Sequence, residues 1–124
     1  METARPCIAV VDDEESIRKA LRRLLRSTGM DVDTFPSGAE FLAALSSRRP
    51  DCLVLDLHMP EMNGFEVQRR LTQLGIRLPL IVITGHDSPE TRARVLSREV
   101  NAYLLKPVDA GLLLGAIHDA LARH

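Results

Sequence analysis

The sequence predicts a doubly wound α/β domain, a five-stranded parallel sheet with helices on both faces. Three observations predict it. Short apolar runs alternate with stretches of helical periodicity, five times along 124 residues. Most of these runs are apolar at consecutive positions, as strands covered on both faces must be. The length suits one domain with one sizeable core, residues 1–124.

The first run, Cys7–Val11, is apolar throughout. In the following EESIRKALRRLLRSTG, Ile17, Leu21, Leu24 and Leu25 recur at helical spacing. Glu14 and Glu15 suit the positive end of that helix's dipole, and Gly29 suits its C-terminal stop. Met30–Phe35 alternates like a half-buried strand. Ser37 can cap a second helix carrying Phe41 and Leu45. Cys52–Asp56 is the third strand, and Pro60, Asn63 and Gly64 turn the chain after it. A third helix starts near Gly64 and is expected to bury Phe65, Val67, Leu71 and Leu74. Leu80–Thr84, LIVIT, is a β-branched fourth strand. Ser88–Glu99 reads as a polar helix anchored by Val95 and Leu96. Ala102–Leu105 is the fifth strand, and Asp109 caps a last helix bearing Leu113, Leu114, Ile117 and Leu121. Right-handed crossovers join such units into one layered sheet.

Composition narrows the function. A formal charge of −1 argues against a dedicated nucleic-acid or anionic-membrane surface. No apolar run approaches the ~20 residues that span a bilayer. The N-terminal METARPC lacks a secretory pattern, so a cytoplasmic protein is expected. Cys7 and Cys52 each open a strand and are expected to be buried, reduced thiols. There is no CxxC and no clustered His/Cys spacing.

The strand ends carry the chemistry. The first strand hands over to Asp12 and Asp13, the third ends in Asp56, the fourth in Thr84, and the fifth runs into Lys106. Singly, each has an ordinary explanation: dipole compensation, a turn, a good β-former, a solvated lysine. In a parallel sheet they converge on the carboxyl edge, where ligands collect. Like charges about 4 Å apart repel by ~4 kcal/mol at an effective dielectric of ~20. Three grouped carboxylates therefore need protons or a cation. Hard oxygen donors suit Mg²⁺, which commonly shares its shell with phosphate oxygens. The Thr84 hydroxyl and Lys106 ammonium can each hold a phosphate oxygen. Asp56, central in the cluster, is the candidate nucleophile for an aspartyl phosphate.

VVDDEES, LVLDLHMPEMNGFE, IVITGHD and AYLLKP, in this order and spacing, resemble the response-regulator receiver domain of two-component signalling. The resemblance covers essentially the whole chain. The ITGHD stretch resembles receivers of FixJ-like transcription factors. The resemblance implies a flavodoxin-like strand order 2-1-3-4-5, the order that general descriptions of this fold illustrate with a receiver-type protein. It implies Asp56 as phosphoacceptor of a sensor histidine kinase. It further implies Mg²⁺ held by Asp13, Asp56 and the backbone carbonyl of His58, with Asp12 contributing through water. Lys106 would pair with the phosphoryl group, Thr84 would move to bond it, and Tyr103 would swing inward behind it. His58 and His86 would tune the phosphoryl lifetime. A cis Lys106–Pro107 bond is expected. Asn101 and Val108 depart from the usual Gly and Phe, and Asn101 is expected to tolerate a left-handed turn.

The implied module is a switch rather than an enzyme, catalysing only its own phosphotransfer and dephosphorylation. A homodimer through the fourth helix, fifth strand and fifth helix is expected, aided by Leu112–Leu114. Whether the receiver is free-standing or belongs to a longer transcription regulator is left open. The alternative is a haloacid-dehalogenase-like phosphatase, which would want a second Asp where His58 stands. A flavin module on the same fold would want a Ser/Thr/Gly-rich loop where DDEES stands. A pseudo-receiver would lack part of the acceptor, metal, hydroxyl and lysine set.

Overall fold

The computed structural model describes residues 5–123. Residues 1–4, part of the METARPC stretch, lie outside them. The described elements alternate in chain order: β1 Cys7–Val11, α1 Glu15–Ser27, β2 Asp31–Phe35, α2 Gly38–Ala44, β3 Cys52–Asp56, α3 Gly64–Gln73, β4 Leu80–Thr84, α4 Pro89–Leu96, β5 Ala102–Leu105 and α5 Ala110–Ala122. The sheet is parallel throughout, with order β2-β1-β3-β4-β5. The alternation predicts the doubly wound parallel sheet, and the flavodoxin-like order is the one the family resemblance implies.

Period-2 geometry sends alternate strand residues to opposite faces. Ile8 and Val10 of β1 join Leu21 and Leu25 of α1 and Leu113 and Ile117 of α5 in one buried cluster. Ala9 and Val11 join Phe41 of α2, Val67 and Leu71 of α3 and Val95 of α4 in the other. Strands β1, β3 and β4 are buried at every position. Each fully buried Leu, Ile or Val contributes roughly 1.5–3 kcal/mol, so these strands are fixed firmly.

Local chemistry sets where the helices begin. Ser37 accepts the amide of Glu40, Ser88 that of Thr91, and Asp109 that of Leu112. Asn63 and Glu66 form a reciprocal capping box at the start of α3. Gly64 follows, and a Cβ there would lie 2.8 Å from the Asp56 carbonyl oxygen and 3.0 Å from Leu57 Cα. Helix α3 can thus start directly against the end of β3. Gly29 and Gly75 take positive φ where α1 and α3 stop.

Some expectations are corrected. Leu74 is 60% exposed and Leu96 65%, so neither anchors its helix. Both sit at helix C-termini, where the axis has left the sheet. Helix α4 stops at Leu96 instead of reaching Glu99. The run Leu112–Leu114 divides, with Leu113 fully buried and Leu112 63% exposed. Asn101 does not take a positive φ. It holds the start of β4 from both sides, with its Oδ1 accepting from Leu80 N and its own N–H donating to Leu80 O. Cys7 and Cys52 are buried and unpaired, and burial pushes the Cys52 thiol up to about 12.

Candidate functional site

The strand register builds the site. Val11 pairs with Leu55, so the next residues, Asp12 and Asp56, emerge side by side. Asp56 pairs with Ile83, which puts Thr84 one step beyond. Thr84 pairs with Leu105, which brings Lys106 to the same edge. Asp12 and Thr84 are fully buried and Asp56 is 2% exposed, whereas Asp13 is exposed.

One carboxylate oxygen from each of Asp12, Asp13 and Asp56 lies within 4.8 Å of the others. The Lys106 ammonium, 13% exposed, enters this group. Its Nζ lies 2.8 Å from Asp12 Oδ2, 3.2 Å from Glu14 Oε1 and 3.5 Å from Asp56 Oδ2. The 2.8 Å approach is an ion pair without hydrogen-bond alignment, and Asp12 Oδ2 has no hydrogen-bond partner among the described residues. Asp12 Oδ1 accepts the Glu14 amide and so also ties down the entry to α1.

Burial and the Asp12 charge push the Asp56 carboxyl up to about 6, against the lowering pull of Lys106. Burial works against the Lys106 ammonium, but the close contact with the Asp12 carboxylate, with the charge of Asp56, outweighs it and raises its pKa. The trio thus has more negative charge than one lysine neutralises. A divalent ion fits the donor set: the oxygens are hard, Asp12 Oδ2 is unsatisfied, and Asp13 is open to solvent.

The Thr84 hydroxyl is occupied. His58 Nδ1 lies 2.9 Å from Thr84 Oγ1, and the His86 amide donates to the same oxygen at 3.0 Å. The His58 and His86 rings meet edge to face with centroids 4.8 Å apart. Burial, His86 and Lys106 lower the His58 pKa, favouring the neutral ring. The His58 amide donates to Asp56 Oδ1 at 3.3 Å.

Tyr103 is not at the carboxylates. Its hydroxyl donates to Asp87 Oδ1 at 2.8 Å, and Arg92 binds Asp87 Oδ2 at 3.0 Å while stacking 4.9 Å from the Tyr103 ring centroid. The Lys106–Pro107 bond is cis. Sequence reasoning missed the contact of Glu14 with Lys106 and the Asp87–Arg92–Tyr103 group. The acidic run DDEE is the one signal that could have pointed to Glu14.

The response regulator receiver domain family matches residues 8–118. The chain belongs to this family. Response regulator protein TmoT of Ectopseudomonas mendocina is 37% identical over 121 residues, spanning 98% of this chain and 55% of TmoT. A response regulator receiver protein from Burkholderia phymatum has a similar crystal structure, with TM-score 0.84 and 46% identity over 95% of this chain and 96% of that one. FixJ-N superposes with TM-score 0.88 and 34% identity over 98% of each chain. The chain spans about half the length of the curated relatives it matches.

This receiver is a phosphorylation-dependent signalling switch of two-component type, a phosphoacceptor module and not a conventional enzyme. Receivers pair with histidine kinases, and its acidic trio is typical of a receiver metal site. No helix among the described residues is long and apolar enough to cross a membrane.

Proposed function

We propose that Asp56 accepts a phosphoryl group from the phosphohistidine of a cytoplasmic sensor histidine kinase. The observation that carries this reading is a buried Asp56 carboxylate between the β1 acidic pair and the Lys106 ammonium. An Asp56 oxygen attacks phosphorus, the P–N bond breaks, and the imidazole leaves with the electron pair and takes up a proton. Lys106 is already poised to bind a phosphoryl oxygen. Asp13, Asp56 and the His58 carbonyl would hold Mg²⁺, with Asp12 acting through water. When bound, Mg²⁺ offsets the charge of the carboxylates and of the incoming phosphoryl group.

The test is intact-protein mass spectrometry after acetyl phosphate treatment with Mg²⁺. Wild type should gain one phosphate, Asp56→Asn none, and Asp13→Ala little. Full phosphorylation of Asp56→Asn would refute the assignment. Sustained turnover of p-nitrophenyl phosphate would favour the phosphatase reading, against which His58 stands in place of a second Asp.

The output proposed is a two-state change of the α4–β5–α5 face, where Leu96, Leu105 and Leu112 are exposed. Moving a population from 1:99 to 99:1 takes about 5.5 kcal/mol. A charge-assisted hydrogen bond from Thr84 supplies roughly 1.5–3 kcal/mol, so Lys106 and an inward Tyr103 must add the rest. Homodimerisation through this face, feeding transcription regulation in a longer FixJ-like regulator, is the proposed readout. The domain itself binds no nucleic acid. Sedimentation with and without beryllofluoride tests the dimer. His58 and His86 border the phosphoryl site and are proposed to set its lifetime. Decay curves of alanine variants identical to wild type would refute that role.

A further inference from the structure

Thr84 is fully buried at the end of β4, and its hydroxyl is satisfied on both sides. The His86 amide is a fixed donor and takes one lone pair of Oγ1. The hydroxyl has one proton, and with the His58 ring neutral and protonated on Nε2 it donates that proton to Nδ1, 2.9 Å away. A threonine that bonds a phosphoryl oxygen must donate that same proton, because an unprotonated phosphoryl oxygen only accepts. The two bonds therefore exclude each other.

We propose that His58 is a positioning residue whose Nδ1 holds the Thr84 hydroxyl in the unphosphorylated state and must release it before Thr84 can bond a phosphoryl oxygen. His58 thus opposes the active state by binding the inactive one. The placement of His58 fits this role. It comes from the loop after β3, two residues past Asp56, and spans to β4. Its backbone is tied to the acceptor through the bond from its N–H to Asp56 Oδ1. Its ring is braced edge to face by His86, which is itself anchored to Thr84 through its amide. The latch closes a loop through Asp56, His58, Thr84 and His86, so a change at Asp56 is felt at the hydroxyl that must move.

The inference rests on the phosphoryl-site reading above, and the experiment separates the two. Tyr103 is the chain's one tyrosine and there is no tryptophan, so intrinsic fluorescence reports on the switching face. Beryllofluoride with Mg²⁺ is titrated into wild type, His58→Ala, His58→Asn, Thr84→Val and the His58→Ala/Thr84→Val double variant. His58 is exposed, so its replacements leave the core intact, and Thr84→Val keeps the shape of the buried side chain. Loss of one neutral hydrogen bond that competes with activation should tighten beryllofluoride binding about two- to tenfold in His58→Ala. His58→Asn, whose Oδ1 can stand in for Nδ1, should stay near wild type. In the Thr84→Val background, His58→Ala should change nothing, because the bond it removes is already gone. An unchanged or weaker affinity in His58→Ala overturns the latch. So does an equal gain in the valine background. If wild type does not bind beryllofluoride, the phosphoryl-site reading falls and the latch with it. In the metal-free chain, ¹⁵N NMR should show His58 protonated on Nε2 with Nδ1 accepting. The opposite tautomer overturns the latch without touching the phosphoryl-site reading.

Discussion

The centre of the sheet and its β5 edge are held by different forces. On one side, β1 and β3 are buried at every residue and pinned by α1 and α5 through Leu21, Leu25, Leu113, Ile117 and Ala120. On the other, β5 has no fully buried residue and α4 buries Val95. There the ties are polar and near the surface: Tyr103 to Asp87, Asp87 to Arg92, and Arg77 to Glu99. The carboxylates stand on the apolar side, where position is costly to change. The segment proposed to rearrange stands on the polar side, where one hydrogen bond can be exchanged for another at small net cost.

Core truncations test this contrast most strongly. Leu113→Ala should cost roughly 2–5 kcal/mol of global stability, because α5 cannot collapse into the space left against the sheet. Val95→Ala should cost about 1.5–3 kcal/mol at most. It should act mainly by loosening α4, which hydrogen exchange would show as faster exchange over residues 89–96 than elsewhere. Leu96→Ala should stay within about 0.5 kcal/mol. If urea melts show Val95→Ala and Leu113→Ala equally destabilising, with uniform exchange, the contrast between the two sides is wrong.

The apolar side also carries a stored cost, the crowding of its carboxylates. Asp56 is raised from 3.8 to about 6 by burial and by Asp12. The folded chain binds this proton more tightly than the unfolded chain, so stability from this group falls as pH rises from 3.8 to about 6 and stays low above it. A shift of about two units corresponds to ~3 kcal/mol at neutral pH. Asp56→Asn removes that charge but also the attraction to Lys106. In chelator at pH 7 it should therefore be more stable than wild type by about 1–3 kcal/mol. The gain should shrink on acidification through the same window, and Mg²⁺ should narrow it by stabilising wild type. A less stable Asn variant at pH 7 would mean that Lys106 already neutralises the trio.

The apolar side was also the legible one. Strand identity and the convergence of Asp12, Asp13, Asp56, Thr84 and Lys106 follow from runs of apolar residues and from the geometry of parallel sheets, whereas the strand order comes from the family resemblance. Which acid of the pair is buried did not follow, because a DD step at a strand end can present either residue inward. Helical spacing selected Leu71 and Val67 correctly but also Leu74 and Leu96, since periodicity marks a face and does not say where the helix leaves the sheet. The Asn63–Glu66 capping box is legible in its i, i+3 spacing, although Pro60, Asn63 and Gly64 by themselves indicate only a turn. The polar ties could not be read. His58 with Thr84 and Tyr103 with Asp87 are 26 and 16 residues apart, and they depend on side-chain rotamers that no local pattern encodes.

A weaker perturbation addresses the polar side directly. Burial and the Asp87 hydrogen bond push the Tyr103 phenol up to about 12 from its ordinary 10. Arg92 and Tyr103 in turn hold the Asp87 carboxyl below its usual range. In Asp87→Asn, alkaline absorbance titration should find the single tyrosine ionising at lower pH, short of a full return to 10 because burial remains. Exchange over residues 87–96 should quicken while the α1 amides near Leu21 and Leu25 stay protected. An unchanged phenol titration would show that the Asp87 contact does not hold Tyr103 in solution.

The smallest effect expected lies close in sequence to Asp56, in the loop between β3 and α3. Glu61 has φ +68, and the Met62 amide closes a three-residue turn onto the Pro60 carbonyl at 2.8 Å. A non-glycine residue held there is strained by roughly 1–2 kcal/mol. The strain persists because both ends are fixed: β3 is buried on one side, and the Asn63–Glu66 cap with Gly64 against Asp56 locks the other. Glu61→Gly relieves the strain but adds about 0.5–1 kcal/mol of unfolded-chain entropy. The net should be a gain from a few tenths to about 1 kcal/mol, seen as a higher urea midpoint at unchanged slope. Glu61→Ala, which keeps the Cβ, should show no such gain. A gain equal in both variants would assign the effect to loss of the exposed Glu61 carboxylate and not to relief of the backbone.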